Sequence, residues 1–404
     1  MTLQKRNKTK QNTLDKISIC ATLLLISEVA GIRSQRSLEI VSRALFVFRR
    51  TMKHIKYLSL DKQIEKLKAQ KLIINDETSA RYVLNTYGYY TVINGYRGVY
   101  IKKDKATGKK FYDGNTSIEQ IYSLFFFDQH IRDAVMMAVS EFENHLKAAV
   151  SDVVGSSFGT NHKNYLKYNN YRDKKVTDSE FSRNKTIDRL SDTIEKSNRH
   201  PIPHYRKKYG IVPPWVLFTD TYLGTLVNFI KFLKGPERNA LVRHMYGYNI
   251  PTEQMELLKE LLHDTAFMCY NYRNRAAHGG IVYNFIPKTT LKLVSDGKVD
   301  IPQGLSQLYF ALNELKHNMP AKNLFSAITN ALNNFCKHFH TEEDIKRLQD
   351  SIGFKITSKK HVWVNNSTKK FHNNQHCSGM NNATKIDIAD VDKLGLEPCK
   401  RCCK

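Results

Sequence analysis

The chain has 404 residues (46.8 kDa), 41% of them hydrophobic and 25% charged, which excludes wholesale disorder and leaves room for two or three domains. Its 63 Lys and Arg against 38 Asp and Glu give a formal net charge of +25. That balance favours a polyanionic partner, nucleic acid above all.

In chain order, residues 1–57 carry 12 basic and 3 acidic side chains over two helix-like segments. The second of these starts at Ser37 and spaces Val41, Ala44, Leu45, Phe48 and Met52 at helical intervals. An apolar run at residues 17–32, edged by Asp15 and Glu28, is too short for a membrane span and lacks a leader's small-residue cleavage site, so neither export nor a membrane partner is expected. A further helix opens at Ser59 with Ile64, Leu67 and Leu72, and Asn75-Asp76 turns the chain and caps another with Ala80, Val83 and Leu84. Residues 87–101, rich in β-branched and aromatic side chains with glycines, predict a compact turn or short hairpin, and residues 102–116 a polar loop. A long helix follows over 118–154. On it Asp128/Arg132 and Glu143/Lys147 stand four apart, the spacing of solvated ion pairs.

Residues 161–210 read as a basic loop, with 13 basic and 6 acidic side chains. There Tyr165, Tyr168 and Tyr171 lie among cations that include Lys174, Lys175, Lys207 and Lys208. Such a segment either stacks bases and holds phosphates or packs its tyrosines against the body. Pro213, Pro214 and Trp215 form a corner leading into a helix through Leu226 and Phe229. Another helix runs from near Thr252 to His278, where Gly279-Gly280 ends it, and two more cover 305–317 and 322–338.

The helix ending at Gly279 closes on the string RNRAAHGG. Arg273 and His278 are five apart and so do not share a face of a regular helix, whereas Asn274 and His278 do. An arginine there can hold phosphate oxygens, and a histidine in the last turn suits proton transfer near neutral pH. The spacing alone recurs in Arg49/His54 and in Arg199/His204. The latter encloses Pro201 and Pro203 and reads as non-helical, and neither has a polar residue placed like Asn274. Capping of a surface helix is the plainer role for such a pair.

Six ordered blocks carry more weight: QIEKLKAQKLIIND, ARYVLNTYGYYTVINGYR, FYDGNTSIEQIYSLFFFDQHIRDAV, SEFENHLK, PPWVLF with Gly224, and RNRAAHGGIVYN. Over about residues 59–290 they resemble the Abi family of bacterial abortive-infection proteins (the AbiD and AbiF group), whose core is a HEPN-type ribonuclease. The chain departs from the family's pattern at Thr219, often Glu, and at Ile281, often Arg. The resemblance implies metal-independent RNA cutting: a ribose 2′-hydroxyl attacks its neighbouring phosphate while Arg273 holds that phosphate, His278 moves a proton and Asn274 orients either. It also implies a composite site in a homodimer.

Of seven cysteines, Cys20, Cys269 and Cys336 sit singly in apolar helical patterns as reduced thiols, while Cys377, Cys399, Cys402 and Cys403 crowd into the last 28 residues. Few cysteines, clustered in this way, point to a reducing compartment, the cytoplasm, and to a metal site. HVWVNNSTKKFHNNQHCSGM through GLEPCKRC resembles small modules appended to assorted proteins of Gram-positive bacteria. His372, Cys377, Cys399 and Cys402 form a ligand set for structural zinc, His372 being preferred over His376, which directly precedes Cys377.

The expected architecture is therefore mainly α: a helical lead-in (1–58), a HEPN-type core (59–290), helices completing the body (291–353) and a small α+β zinc-binding module (354–404). The expected function is an RNA endonuclease of phage-defence or toxin type, needing no cofactor for catalysis. Two other readings stand beside it: a non-catalytic RNA-binding protein that forms a ribonucleoprotein with a non-coding RNA, and an adaptor that engages a protein partner through its tail.

Overall fold

The computed structural model describes residues 57–105, 107–112, 114–173, 182–288, 290–336 and 342–354. In the C-terminal segment it describes 361–365, 369–372, 374, 377, 380, 383–387, 391 and 394–403. The two helices expected before residue 57, with Cys20 and the Arg49/His54 pair, lie outside the described residues, as do Lys174, Lys175 and His376. The chain divides into two compact units, Met1–Gln63 and Ile64–Lys404.

The architecture is mainly α with a small C-terminal sheet. Helix α1 (Leu60–Ala69) buries Ile64 and Leu67, and α2 (Glu77–Tyr87) starts on Asp76, whose carboxylate accepts from the Thr78 and Ser79 amides. Next come a π-helical turn (Tyr90–Asn94) and a 3₁₀ turn (Arg97–Val99). The expected hairpin is therefore displaced by one element, to β1 (Ile101–Lys103) and β2 (Lys110–Tyr112), within the stretch read as a polar loop. Tertiary burial explains the difference: Val92 and Ile93 are fully buried, and burial overrides their β-propensity.

Helix α3 (Ile118–Phe158) is the spine, 41 residues and so about 60 Å long. It opens on a capping box between Ser117 and Gln120. Through its middle it buries one stripe, Ile131, Val135, Ala138, Val139, Phe142, Leu146 and Val150, at the spacing of a single helix face, while Asp133, Ser140 and Asn144 on the other side are exposed.

Short helices α4 (His162–Tyr165), α5 (Arg183–Lys196), α6 (Ile202–Tyr209), α7 (Pro214–Thr219) and α8 (Leu223–Phe229) follow, and then α9 (Gly235–Tyr246) and α10 (Met255–Ala277). Beyond α11 (Lys292–Ser295), helices α12 (Leu305–Asn313), α13 (Met319–Cys336) and α14 (Glu342–Ile352) complete the α-helical part. Helices α13, α7, α10 and α9 pack along α3. Residues 161–210 are thus helical in large part and not a loop. Helix α6 begins just past Pro201 and carries Pro203 in its first turn, where a missing amide costs nothing.

The C-terminal strands β3 (His361–Asn365), β4 (Lys370–His372), β5 (Thr384–Asp387) and β6 (Glu397–Pro398) lie in the order β5-β3-β4-β6. The first three are antiparallel, with Trp363 opposite His372, and β6 runs parallel to β4.

One carboxylate ties the spine to the far end of α10. Asp128 on α3 is fully buried, not a solvated partner of Arg132. One oxygen accepts from the Val282 and Tyr283 amides at 2.8 and 2.7 Å, the other from the Tyr96 hydroxyl at 2.6 Å, and Arg132 stands 3.8 Å away. Burial pushes the Asp128 carboxyl upward, against the hydroxyl, amides and guanidinium that favour its charge. Removing it strands two buried amides and a phenol beside an arginine, so Asp128→Ala is expected to cost ~3–5 kcal/mol in chemical denaturation. Asp128→Asn, which keeps an acceptor for the amides, is expected to cost less. A loss below about 1 kcal/mol for the alanine variant would contradict this tethering.

Candidate functional site

The C-terminal end of α10 is fixed in several independent ways. His278 is its capping residue, Gly279 follows in the left-handed region (φ 68°), and the Gly279 and Gly280 amides donate to the Ala276 and Arg275 carbonyls. This is the paired closure that a glycine after the cap permits. A Cβ on Gly280 would fall 2.5 Å from the Arg275 side chain, which folds back to donate to the Ile281 carbonyl. Asp128 then holds the next two amides, and the Tyr272 hydroxyl donates to the Phe285 carbonyl. The turn bearing His278 is thereby locked onto the body.

Arg273 and Asn274 face a cavity of about 410 Å³ between α10, α3 and the α7–α8 corner. The Arg273 guanidinium donates weakly to the side-chain oxygen Oδ1 of Asn274 at 3.4 Å and has no carboxylate partner among the described residues. Around it stand Lys147 from α3, Arg189 from α5, Arg199 and Tyr222. Four cations thus share one cavity with two carboxylates, each already engaged. Glu143 pairs with Lys147 at 2.8 Å, and Asp220 accepts from Arg199 at 3.3 Å and from the Ser197 hydroxyl at 2.7 Å. Such a surplus of guanidinium and ammonium groups in a concave site is complementary to phosphate. Gly224 lets α8 approach α10 closely, since a Cβ there would lie 2.9 Å from the Tyr270 ring.

The sequence-derived residues are only partly gathered here. Arg273 and Asn274 share the cavity, whereas His278 is exposed, does not line it, and has no side-chain partner among the described residues. Helix α10 is regular through Ala277, so the five-residue spacing keeps Arg273 and His278 on different faces. Glu143 and Lys147, expected as a solvated pair, are only 18% and 17% exposed at the side chain and form a wall of the cavity. Arg199, set aside with His204, also lines it.

Among the aromatics read as base-stacking candidates, two belong to the core. Tyr165 and Tyr171 are 0% and 2% exposed and donate to the Val212 and Tyr165 carbonyls. Burial of their rings outweighs the cationic neighbourhood that suggested stacking. Tyr168 is exposed and donates to Asp188. Lys207 and Lys208 are exposed in the last turn of α6.

In the C-terminal sheet, His372, Cys377, Cys399 and Cys402 bring one ligand atom each to within 4.8 Å of one another. The Cys377 and Cys399 sulfurs are 4.0 Å apart, and the Cys402 sulfur is 3.5 Å from His372 Nδ1. A tetrahedral ion with bonds of about 2.3 Å to sulfur and 2.0–2.1 Å to nitrogen spaces its ligands by roughly 3.5–3.8 Å, so this donor set could hold one metal ion. The Arg401 and Cys402 amides, the largest influences on Cys399, lower its thiol to about 7 and favour the thiolate a metal requires. Cys403 turns away, toward the Phe371 carbonyl.

Among the described residues, no helix is long and apolar enough to cross a membrane. A family profile described as Abi-like protein matches residues 82–284, half of the chain, a span that includes Asp128, Arg273, Asn274 and His278 but not the metal cluster. No curated protein and no solved structure matches. The cluster makes its own prediction. Chelated protein reloaded with Co²⁺ should bind about one ion per chain and show thiolate-to-cobalt charge-transfer absorption, and Cys399→Ser with Cys402→Ser should show neither. Retention of that absorption in the double variant would assign the ion to other residues.

Proposed function

Because this chain belongs to the Abi-like protein family, we propose that it is a defence protein of the abortive-infection type that cuts RNA without a metal in the reaction, with Arg273, Asn274 and His278 as its working residues. The observation that carries this reading is the cationic cavity walled by Lys147 and by Arg273 and Asn274, the last two on the helix whose locked terminal turn bears His278.

The chemistry asked of these groups is transesterification. The 2′-hydroxyl loses a proton as its oxygen bonds to phosphorus, and the 5′-oxygen of the next nucleotide gains a proton as its bond breaks. The products are a 2′,3′-cyclic phosphate and a free 5′-hydroxyl. Arg273, which has no carboxylate partner among the described residues, binds the phosphate oxygens and takes up charge that grows in the transition state. Lys147 and Arg199 hold flanking phosphates. His278 supplies a proton or removes one, and Asn274 orients that histidine or the scissile phosphate once RNA is bound.

The proposed set holds one histidine per chain, His278, and it stands outside the cavity of its own Arg273. A symmetric homodimer brings His278 and Arg273 of two copies around one phosphate and supplies both an acid and a base. In the C-terminal cluster, zinc would be structural. His372, Cys377, Cys399 and Cys402 would hold it, and it would fix the sheet, not the reaction.

The test is cleavage of RNA in excess EDTA. The wild-type chain should leave 2′,3′-cyclic phosphate ends and spare a strand whose ribose is 2′-deoxy at the cut. Arg273→Ala and His278→Ala should each lower the rate by about 10²–10⁴-fold without moving the melting temperature, since neither side chain is buried. RNA binding with no cutting would assign the chain to a ribonucleoprotein role, and loss of cutting on chelation alone would make the metal catalytic.

A further inference from the structure

Beside the Arg273 cavity runs a second and larger one, of about 670 Å³. One wall is a single face of α3, where Asn144, Ser151, Asp152 and Gly155 follow one another at helical spacing. The other is α7, where Trp215 and Thr219 stand four apart. Helix α7 is otherwise a core element, with Pro214, Val216, Leu217 and Phe218 all buried, yet its tryptophan is 50% exposed over this groove. Two residues, Lys147 and Thr219, line both cavities, so the groove opens directly onto the cationic site.

Three physical features narrow what the groove can take. The indole offers a wide apolar face at low entropic cost, and a Cβ built on Gly155 would lie 4.0 Å from the ring, so the ring rests against bare helix. The Asn144 amide and the exposed Asp152 carboxylate can pair with donors on the edge of a flat ring. The Ser151 hydroxyl spends its hydrogen on the Lys147 carbonyl at 2.7 Å and so faces the groove only as an acceptor. Lys147 supplies positive charge only at the junction, with Glu143 at 2.8 Å and the Thr219 carbonyl at 3.3 Å to steady it. An aromatic platform with polar edges, ending at a cation-lined cavity, is what a single-stranded nucleotide presents in complement: a base, then its phosphate.

We propose that this groove is a nucleobase subsite, in which the base adjoining the phosphate held at Arg273 stacks on Trp215. The inference rests on the RNA-cutting reading for its register, and it adds a determinant of which nucleotide is cut. Trp215 acts on binding and on the choice of site, not on proton transfer.

The chain has two tryptophans, so Trp363→Phe leaves Trp215 as the sole indole emitter. A 2′-O-methyl tetranucleotide, which cannot react, should quench that emission on binding, while inorganic phosphate and the same strand made abasic should not. Trp215→Ala should weaken tetranucleotide binding about 10- to 100-fold and Trp215→Phe much less. Trp215→Ala should also raise KM for RNA cutting while leaving kcat within a few-fold. Equal affinity in Trp215→Ala, absence of quenching, or a change in the mass of the assembly on that substitution would overturn the subsite, the last by making the groove an interface between copies. Quenching by an intact strand in a chain that cuts no RNA would preserve the subsite and overturn the enzyme. Cutting that is indifferent to Trp215 would do the reverse.

Discussion

The buried carboxylate of Asp128 is the constraint on which the arrangement depends. It sits at zero exposure on the central helix and accepts three hydrogen bonds from elements far apart in sequence. A carboxylate without those partners would carry a desolvation penalty of several kcal/mol, so the Tyr96 turn and the segment after His278 must both come to it. Burial and the carboxylate itself push the Tyr96 phenol upward, which keeps that group a donor. The consequence is positional. The end of α10 is held against α3, and Arg273 and Asn274 therefore face the same space as Lys147.

That space concentrates charge in a way the body as a whole does not require. A net charge of +25 favours polyanions in general, but long-range attraction falls away within about 8–10 Å in physiological salt and would not by itself choose a bond to cut. Choice requires cations held in a concavity with their counter-charges already engaged. Glu143 and Asp220 meet that condition by steadying Lys147 and Arg199, which leaves Arg273 and Arg189 without carboxylate partners among the described residues. The adjoining groove at Trp215 adds an apolar face, which in the proposed reading discriminates a base where charge alone would be indifferent.

Short-range patterns were the legible part of this chain. The Asp76 cap, the long helix from residue 118, the RNRAAHGG terminus and the Cys399-x-x-Cys402 pair are each written within a few residues, and each appears where those residues imply. Burial set by distant segments was not legible. Asp128/Arg132 has the spacing of a surface pair, and only the amides some 154 residues onward make it a core group. Tyr165 and Tyr171 stand among cations in sequence but among Phe158, Phe229 and the Val212 carbonyl in space. Helix α5 escaped notice because its buried face is only Thr186, Ile187, Leu190 and Ile194 among charged residues, and α9 and α14 are similarly sparse in large apolar side chains. The cavity itself joins residues from five helices, α3, α5, α7, α8 and α10, a juxtaposition no single stretch of sequence encodes.

The proposed division of labour between two chains follows from the same regular helix that makes the turn rigid. Arg273 lines its own cavity and His278 does not, and in the proposed reading a second copy across a two-fold axis completes the set of groups. The most direct measurement is RNA cutting by purified mixed dimers in which one chain carries Arg273→Ala and His278→Ala together and its partner is wild type. A shared site predicts that these dimers are nearly inactive. Independent sites predict about half the wild-type rate, and that result would contradict the account.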